Sequence, residues 1–134
     1  METLIAVRSK RLGERGLERL TYGEPLTYEL PDGYDVALFK GKFTPRYVCG
    51  KDGSIWELYR ETKDFLVYTL VNIEYYTEAW VRLYILDHMY LVQAKKLIWE
   101  TFYGDLPYKK VVDRIENNIH NNRLENLIEV ERDD

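Results

Sequence analysis

The chain is poor in the residues that most often carry chemistry. Cys49 is its one cysteine. That excludes an intrachain disulfide and a zinc site built on several thiolates, and it suits a reducing, cytoplasmic compartment. Histidine occurs twice, at His88 and His120, and glutamine once, at Gln93. Imidazole-based metal binding or proton transfer therefore has few carriers. No apolar run approaches the ~18 residues of a membrane-spanning helix. The N-terminal Met1-Glu2-Thr3-Leu4-Ile5-Ala6-Val7-Arg8 turns charged too soon for a secretory signal. A basic surplus is missing as well: the formal net charge is −4 and the pI is about 5.3. Nucleic-acid binding usually wants a basic face, so DNA binding is expected to be weak or absent.

What is present is globular in balance. Hydrophobic residues make up 46% and charged residues 31% of 134 positions, the size of one domain. Such a chain can bury roughly two-thirds of its unfolded surface and needs no staple. Tyrosine occurs 12 times. Abundant Tyr, Glu and Arg with scarce Gln is a habit of heat-adapted proteins, although drift in composition gives the same picture. Charge is uneven along the chain. Arg8, Lys10, Arg11, Arg15 and Arg19 lie near the start, whereas Glu125, Glu129, Glu131, Asp133 and Asp134 crowd the end.

Gly and Pro punctuate short apolar runs, which predicts an α+β fold rich in β-hairpins. Leu4–Val7 reads as a strand. The segment from Ser9 to Leu20 reads as a short helix or an ordered basic loop. Leu26–Leu30 alternates at period two, and Pro31-Asp32-Gly33 has turn chemistry, so residues 25–40 are expected to form a hairpin with Tyr34–Phe39 returning. A second hairpin is expected around Asp52-Gly53. Phe65–Ile73 is apolar and β-rich. A third hairpin is expected over Trp80–Val92, with its turn at Asp87-His88. One helix is clear, over about 94–103: Ala94, Leu97, Ile98 and Phe102 make one apolar stripe, and Gly104 stands where a C-terminal cap belongs. Val111–Ile115, an Asn-rich loop and Leu127–Val130 complete a last ββ hairpin. Trp56, Trp80, Trp99, Phe65 and Phe102 are expected in the core. Tyr75 and Tyr76 are adjacent on a short strand, so they should point to opposite faces with one of them exposed.

The most specific stretch is Asp113-Arg114-Ile115-Glu116-Asn117-Asn118-Ile119-His120-Asn121-Asn122-Arg123-Leu124-Glu125-Asn126-Leu127. It resembles the heart of the HNH homing-endonuclease family of phages and introns, above all in Asn121-Asn122-Arg123-Leu124-Glu125-Asn126-Leu127. Lys95-Lys96-Leu97 through Phe102-Tyr103-Gly104 is similar to the family's helix, Trp80–Val92 to the hairpin before it, and Arg46–Trp56 to its short N-terminal module. The resemblance covers about residues 44–130. It implies a division into a β-rich segment of unknown role over 1–40 and an HNH-like domain over 41–134. It also implies a ββα-metal site: a His general base on the first strand, an adjacent Asp holding a divalent cation (usually Mg²⁺) and a second ligand from a helix after the second strand. The Asn of the Glu-Asn-Leu triplet would keep the hairpin shut.

Tested position by position, the match lacks its chemistry. Asp113 holds the ligand position. Arg114 stands where the base belongs, and a guanidinium cannot take a proton from water at working pH. Lys95 replaces an upstream family His, and Glu116-Asn117 replaces Asp-Gly. The sequence stops at Asp134, about where the second ligand would appear, so the final metal-site helix is expected to be absent. Asp113, Arg114, Asn122 and Asn126 are thus read as vestigial positions, with no catalytic residue, no metal and no cofactor; Mg²⁺ enters only if the chain is a weak HNH nicking endonuclease after all. Asn121, Asn122 and Asn126 are expected to hold the loop through backbone hydrogen bonds. Asp113–Arg114 is read as a strand-end charge pair, His120 as an exposed loop residue and His88 as a hairpin-turn residue. The implied function is a catalytically inactive phage protein of the host cytoplasm that binds a host protein. In size and acidity the chain is similar to small RNA-polymerase-binding regulators of thermophilic phages, so polymerase or its sigma factor is the expected partner. Arg8, Arg11, Arg15, Arg19, Tyr75 and Tyr76 are the candidate contacts. The alternative is a DNA-binding protein or Mg²⁺-dependent nickase.

Overall fold

A computed structural model describes residues 2–7, 20–26, 28–62 and 64–132. The basic contacts expected at Arg8, Arg11, Arg15 and Arg19, the helix or loop around them and the terminal Asp133 and Asp134 lie outside the described residues.

Five strands form an antiparallel sheet: β1 (Thr3–Val7), β2 (Tyr34–Phe39), β3 (Lys42–Gly50), β4 (Ile55–Glu61) and β5 (Phe65–Leu70), in the order β1-β5-β4-β3-β2. Successive side chains on a strand face opposite ways, and the sheet uses both faces. Val48, Trp56, Leu58, Leu66 and Tyr68 join Leu4, Ala6 and Tyr28 in one core. Tyr47, Cys49 and Ile55 face the other way into a larger core shared with the C-terminal elements.

Those elements are a three-stranded sheet, a helix and a hairpin. β6 (Glu74–Tyr75), β7 (Ala79–Ile85) and β8 (His88–Gln93) pair in chain order. The helix α1 (Ala94–Tyr103) follows β8 directly, and Gly104 closes it with its amide on the Glu100 carbonyl at 2.8 Å. Ala94, Leu97 and Ile98 are fully buried in the larger core with Phe102 packed beside them, the stripe that the sequence spacing predicts. β9 (Lys110–Arg114) and β10 (Leu127–Glu131) form the final hairpin, which sets Val112 and Leu127 into the same core. The result is sheet-rich α+β, with one α-helix among the described residues.

Four expectations need correction. Leu26–Leu30 is no hairpin arm of Tyr34–Phe39. Tyr28 is buried in the smaller core, and Glu29 bridges Val7 through two backbone hydrogen bonds of 3.1 Å. β2 pairs instead with β3 across Lys40-Gly41, both at positive φ (52° and 74°), the geometry of a two-residue hairpin turn that matches strand twist. The turn of the third hairpin is Leu86-Asp87, also at positive φ, with His88 already in β8. The β-rich run from Phe65 stops as a strand at Leu70, and Phe65 itself lies outside the core, 41% exposed at the start of β5.

Candidate functional site

Strand parity decides the fate of the two charged residues on β9. Val112 and Arg114 face inward, whereas Asp113 between them faces solvent. Asp113 and Arg114 therefore do not form the charge pair read from their adjacency. Among the described residues, the Asp113 carboxylate accepts the Arg114 amide alone, at 2.8 Å. The Arg114 guanidinium turns into the protein, where its side chain is 3% exposed.

A buried guanidinium needs acceptors, since an unpaired charge in the interior is prohibitively costly. Arg114 finds two. Its Nε and Nη2 donate to Asn122 Oδ1 at 3.2 and 2.6 Å. Its Nη1 and Nη2 form a fork on the Glu78 carboxylate, with Nη1 at 3.2 Å from Oε2. Glu78 also receives Lys95, whose Nζ lies 3.1 Å from Oε2, and the Ala79 amide at 2.9 Å. Burial by itself would raise the Glu78 carboxyl. The hydrogen bonds from Arg114, the Ala79 amide and Lys95 outweigh it and hold the group at about 2. The network joins Lys95 at the start of α1, Arg114 on β9, Asn122 in the loop and Glu78 just before β7. Three of these positions are those at which the family resemblance was tested. Glu78 was not foreseen as the fourth member. Its signal was indirect: an Arg at the inward parity of a strand next to Val112 demands a carboxylate, and Glu78 is 36 residues away in sequence.

The Asn-rich loop is held by the side-chain amides of Asn122 and Asn126, whereas that of Asn121, expected to bond backbone as well, reaches only the Glu116 carboxylate, at 3.4 Å. Asn126 is buried. Its Oδ1 accepts the Glu116 amide at 2.8 Å, and its Nδ2 donates to the carbonyls of Glu116 and Asn121, both at 3.0 Å. Asn122 Nδ2 donates to the Ile119 carbonyl at 2.9 Å, so this side chain serves loop and guanidinium at once. The β3–β4 turn docks against the same loop. The Leu124 amide donates to the Lys51 carbonyl at 2.9 Å. A Cβ on Gly53, which sits at φ +90°, would lie 2.9 Å from the backbone carbon of Asn122.

The aromatic candidates sit at the rim of this loop. Tyr75 and Tyr76 are both exposed, not one of the two. Tyr76 leaves the strand after Tyr75 and donates its hydroxyl to Glu74 at 3.0 Å. The Tyr75 ring lies 4.2 Å, centroid to centroid, from His120, an exposed loop residue as expected. His88 is exposed as the first residue of β8.

Residues 92–134 match the HNH endonuclease family model. The matched segment holds α1, both strands of the last hairpin and the loop between them. No curated protein and no solved structure matches the chain. The chain is therefore HNH-like over its C-terminal third. The described residues do not fit the divalent cation such a site implies. Asp113 offers one exposed carboxylate. Among the described residues no three His, Cys, Asp or Glu side chains come together, and the neighbouring position on β9 supplies a fixed positive charge.

Proposed function

We propose that this chain is an HNH-like protein that does not cleave DNA and acts in the host cytoplasm by binding a protein. The observation that supports this reading is the state of Arg114. Its donors are taken up by Glu78 and Asn122 in a buried network. A guanidinium so held neither accepts a proton from water nor leaves room for a base. Fold and chemistry separate readily in this way. The candidate binding surface on the described residues is the exposed pair Tyr75 and Tyr76, with His120 stacked on the former; exposed tyrosines are enriched where proteins meet. The partner we propose is host RNA polymerase or its sigma factor, in keeping with the similarity in size and acidity to small phage regulators of that enzyme.

Two experiments test the reading. Tagged protein should retain polymerase subunits from host lysate, and Tyr75→Ala combined with Tyr76→Ala should weaken that retention. Recovery without polymerase or sigma factor would remove the proposed partner. In parallel, supercoiled plasmid with Mg²⁺ should stay intact at stoichiometric protein.

A second reading keeps the family's activity. The HNH match over 92–134 and the solvent exposure of Asp113 favour a DNA-binding protein or weak Mg²⁺-dependent nickase. Nicking with turnover, lost in Asp113→Ala, would establish it. DNA binding of this kind would fall steeply with salt as counterions are released.

A further inference from the structure

The other end of the last hairpin borders a groove lined largely by residues of the HNH-like segment. It has a volume of about 670 Å³ and lies between the β2–β3 turn, β8, the start of α1 and β9, within the range of small-ligand sites. Its lining combines two kinds of group. Aromatic surface comes from Trp80, Tyr90 and Tyr108, and Tyr108 is the most exposed of the large hydrophobics at 83%. Positive charge comes from Lys40, Lys96, Lys110 and Arg132, of which Lys110 is paired with Glu131. Lys40 stands at the tip of a turn at positive φ, with its Nζ 4.6 Å from the Tyr90 ring centre and 5.3 Å from that of Phe39. Lys96 and Arg132 are exposed, and neither forms a close ion pair among the described residues, Lys96 acting on Glu100 only through its field.

This is unusual in an acidic protein. Four cations border one concavity while the chain carries net −4. Charges left unpaired around aromatic surface match a ligand with anionic and planar parts together. The one carboxyl in the wall, Glu100, is buried and accepts the Leu106 amide at 3.2 Å. The acidic strand β10, with Glu129 and Glu131, runs beside the groove. Over more than about a Debye length, ~8 Å, the net negative field repels a long polyanion, whereas a small one meets the local cations first.

We propose that this groove binds a nucleotide, with the phosphates among Lys40, Lys96 and Arg132 and the base against Tyr108 and Trp80. The site is separate from the Arg114 network and does not depend on whether the HNH chemistry survives.

Titration calorimetry tests this directly, with quenching of Trp80 fluorescence as a second readout. ATP and GTP, added without metal, should bind with Kd of about 1–100 µM, a usual range for a small site. Adenosine and tripolyphosphate should each bind at least about tenfold more weakly than the nucleotide. Lys96→Ala and Arg132→Ala should each weaken nucleotide binding about tenfold, the effect of one charged contact. Arg46→Ala, an exposed cation on β3, should leave it unchanged. Circular dichroism confirms that each variant folds. Equal affinity for tripolyphosphate and nucleotide would reduce the groove to an anion sink and overturn the proposal. So would nucleotide binding that survives both groove variants. Displacement of bound nucleotide by a 20-residue DNA strand at lower concentration would also overturn it, by assigning the groove to polynucleotide.

Discussion

The two ends of the last hairpin use cationic side chains in opposite ways. At one end Arg114 is buried among Glu78, Asn122 and Lys95. At the other, Lys110 pairs with Glu131 at 2.5 Å in contact with solvent, and Arg132 and Lys96 border an open groove. Both ends belong to the same five-residue strand, β9. Both ends lie in the HNH-like segment, and the closed end is where the resemblance places the metal site. The HNH-like segment thus holds a buried cation at one end of its hairpin and exposed cations at the other.

The comparison is broken most sharply at Glu78. Glu78→Ala should leave Arg114 and Lys95 without their shared counter-charge, and it is expected to cost about 3 kcal/mol or more. At roughly 3–4 °C per kcal/mol, the thermal midpoint should fall by about 10 °C. A fall as small as that of a surface variant would show that the closed end is not closed.

Acid should act on the same group. The Glu78 carboxyl sits at about 2 in the folded chain, against about 4.3 when unfolded. Between these values the folded state binds fewer protons. The stabilisation from Glu78 is therefore complete above about pH 5 and is lost as the pH falls towards 2. Thermal midpoints measured from pH 6 to 2 should decline, and the decline should be shallower in Glu78→Gln.

The loop comes next. Asn126→Ala removes three hydrogen bonds from a buried side chain and is expected to cost about 2 kcal/mol. Amide exchange should quicken at Glu116, whose N–H loses its acceptor. Gly53→Ala should cost about 1–2 kcal/mol, from positive φ and from the close approach to the Asn122 backbone. Denaturant unfolding measures both. The smallest effect is expected at the open end, where Lys110→Ala removes an exposed pair with Glu131. Such pairs contribute little, and its thermal midpoint should not be separable from wild type. A loss there comparable to Glu78→Ala would erase the contrast between the ends.

Much of this arrangement was legible in the chain. Asp52-Gly53 and the Ala94–Leu97–Ile98 spacing announced a hairpin and the helix because local chemistry and tertiary demand agree there. The Asn-rich loop was legible for the same reason: short amides bond nearby backbone. Lys40-Gly41 was not, because Pro31-Asp32-Gly33 offered a stronger turn signal, and only pairing with β3 decides between them. Leu26–Leu30 alternates like a strand, yet alternation reports a half-buried surface and not a partner; Tyr28 buries and Glu29 bridges Val7 without a ladder forming. Arg114 was illegible as a buried ion, since its acceptor comes from a segment 36 residues earlier. Phe65 reads as core by residue type, but its parity, opposite to that of Leu66, sends it outward.

Cys49 carries a practical consequence. It is fully enclosed on β3, its Sγ lies 3.5 Å from the Thr101 hydroxyl, and burial pushes its thiol up to about 12. As the lone sulfhydryl of the chain, it stays hidden from alkylating reagents until strand and helix part. The rate at which iodoacetamide labels the intact protein is then a clock for opening of the main core, readable by mass without a dye, a tag or any change to the sequence.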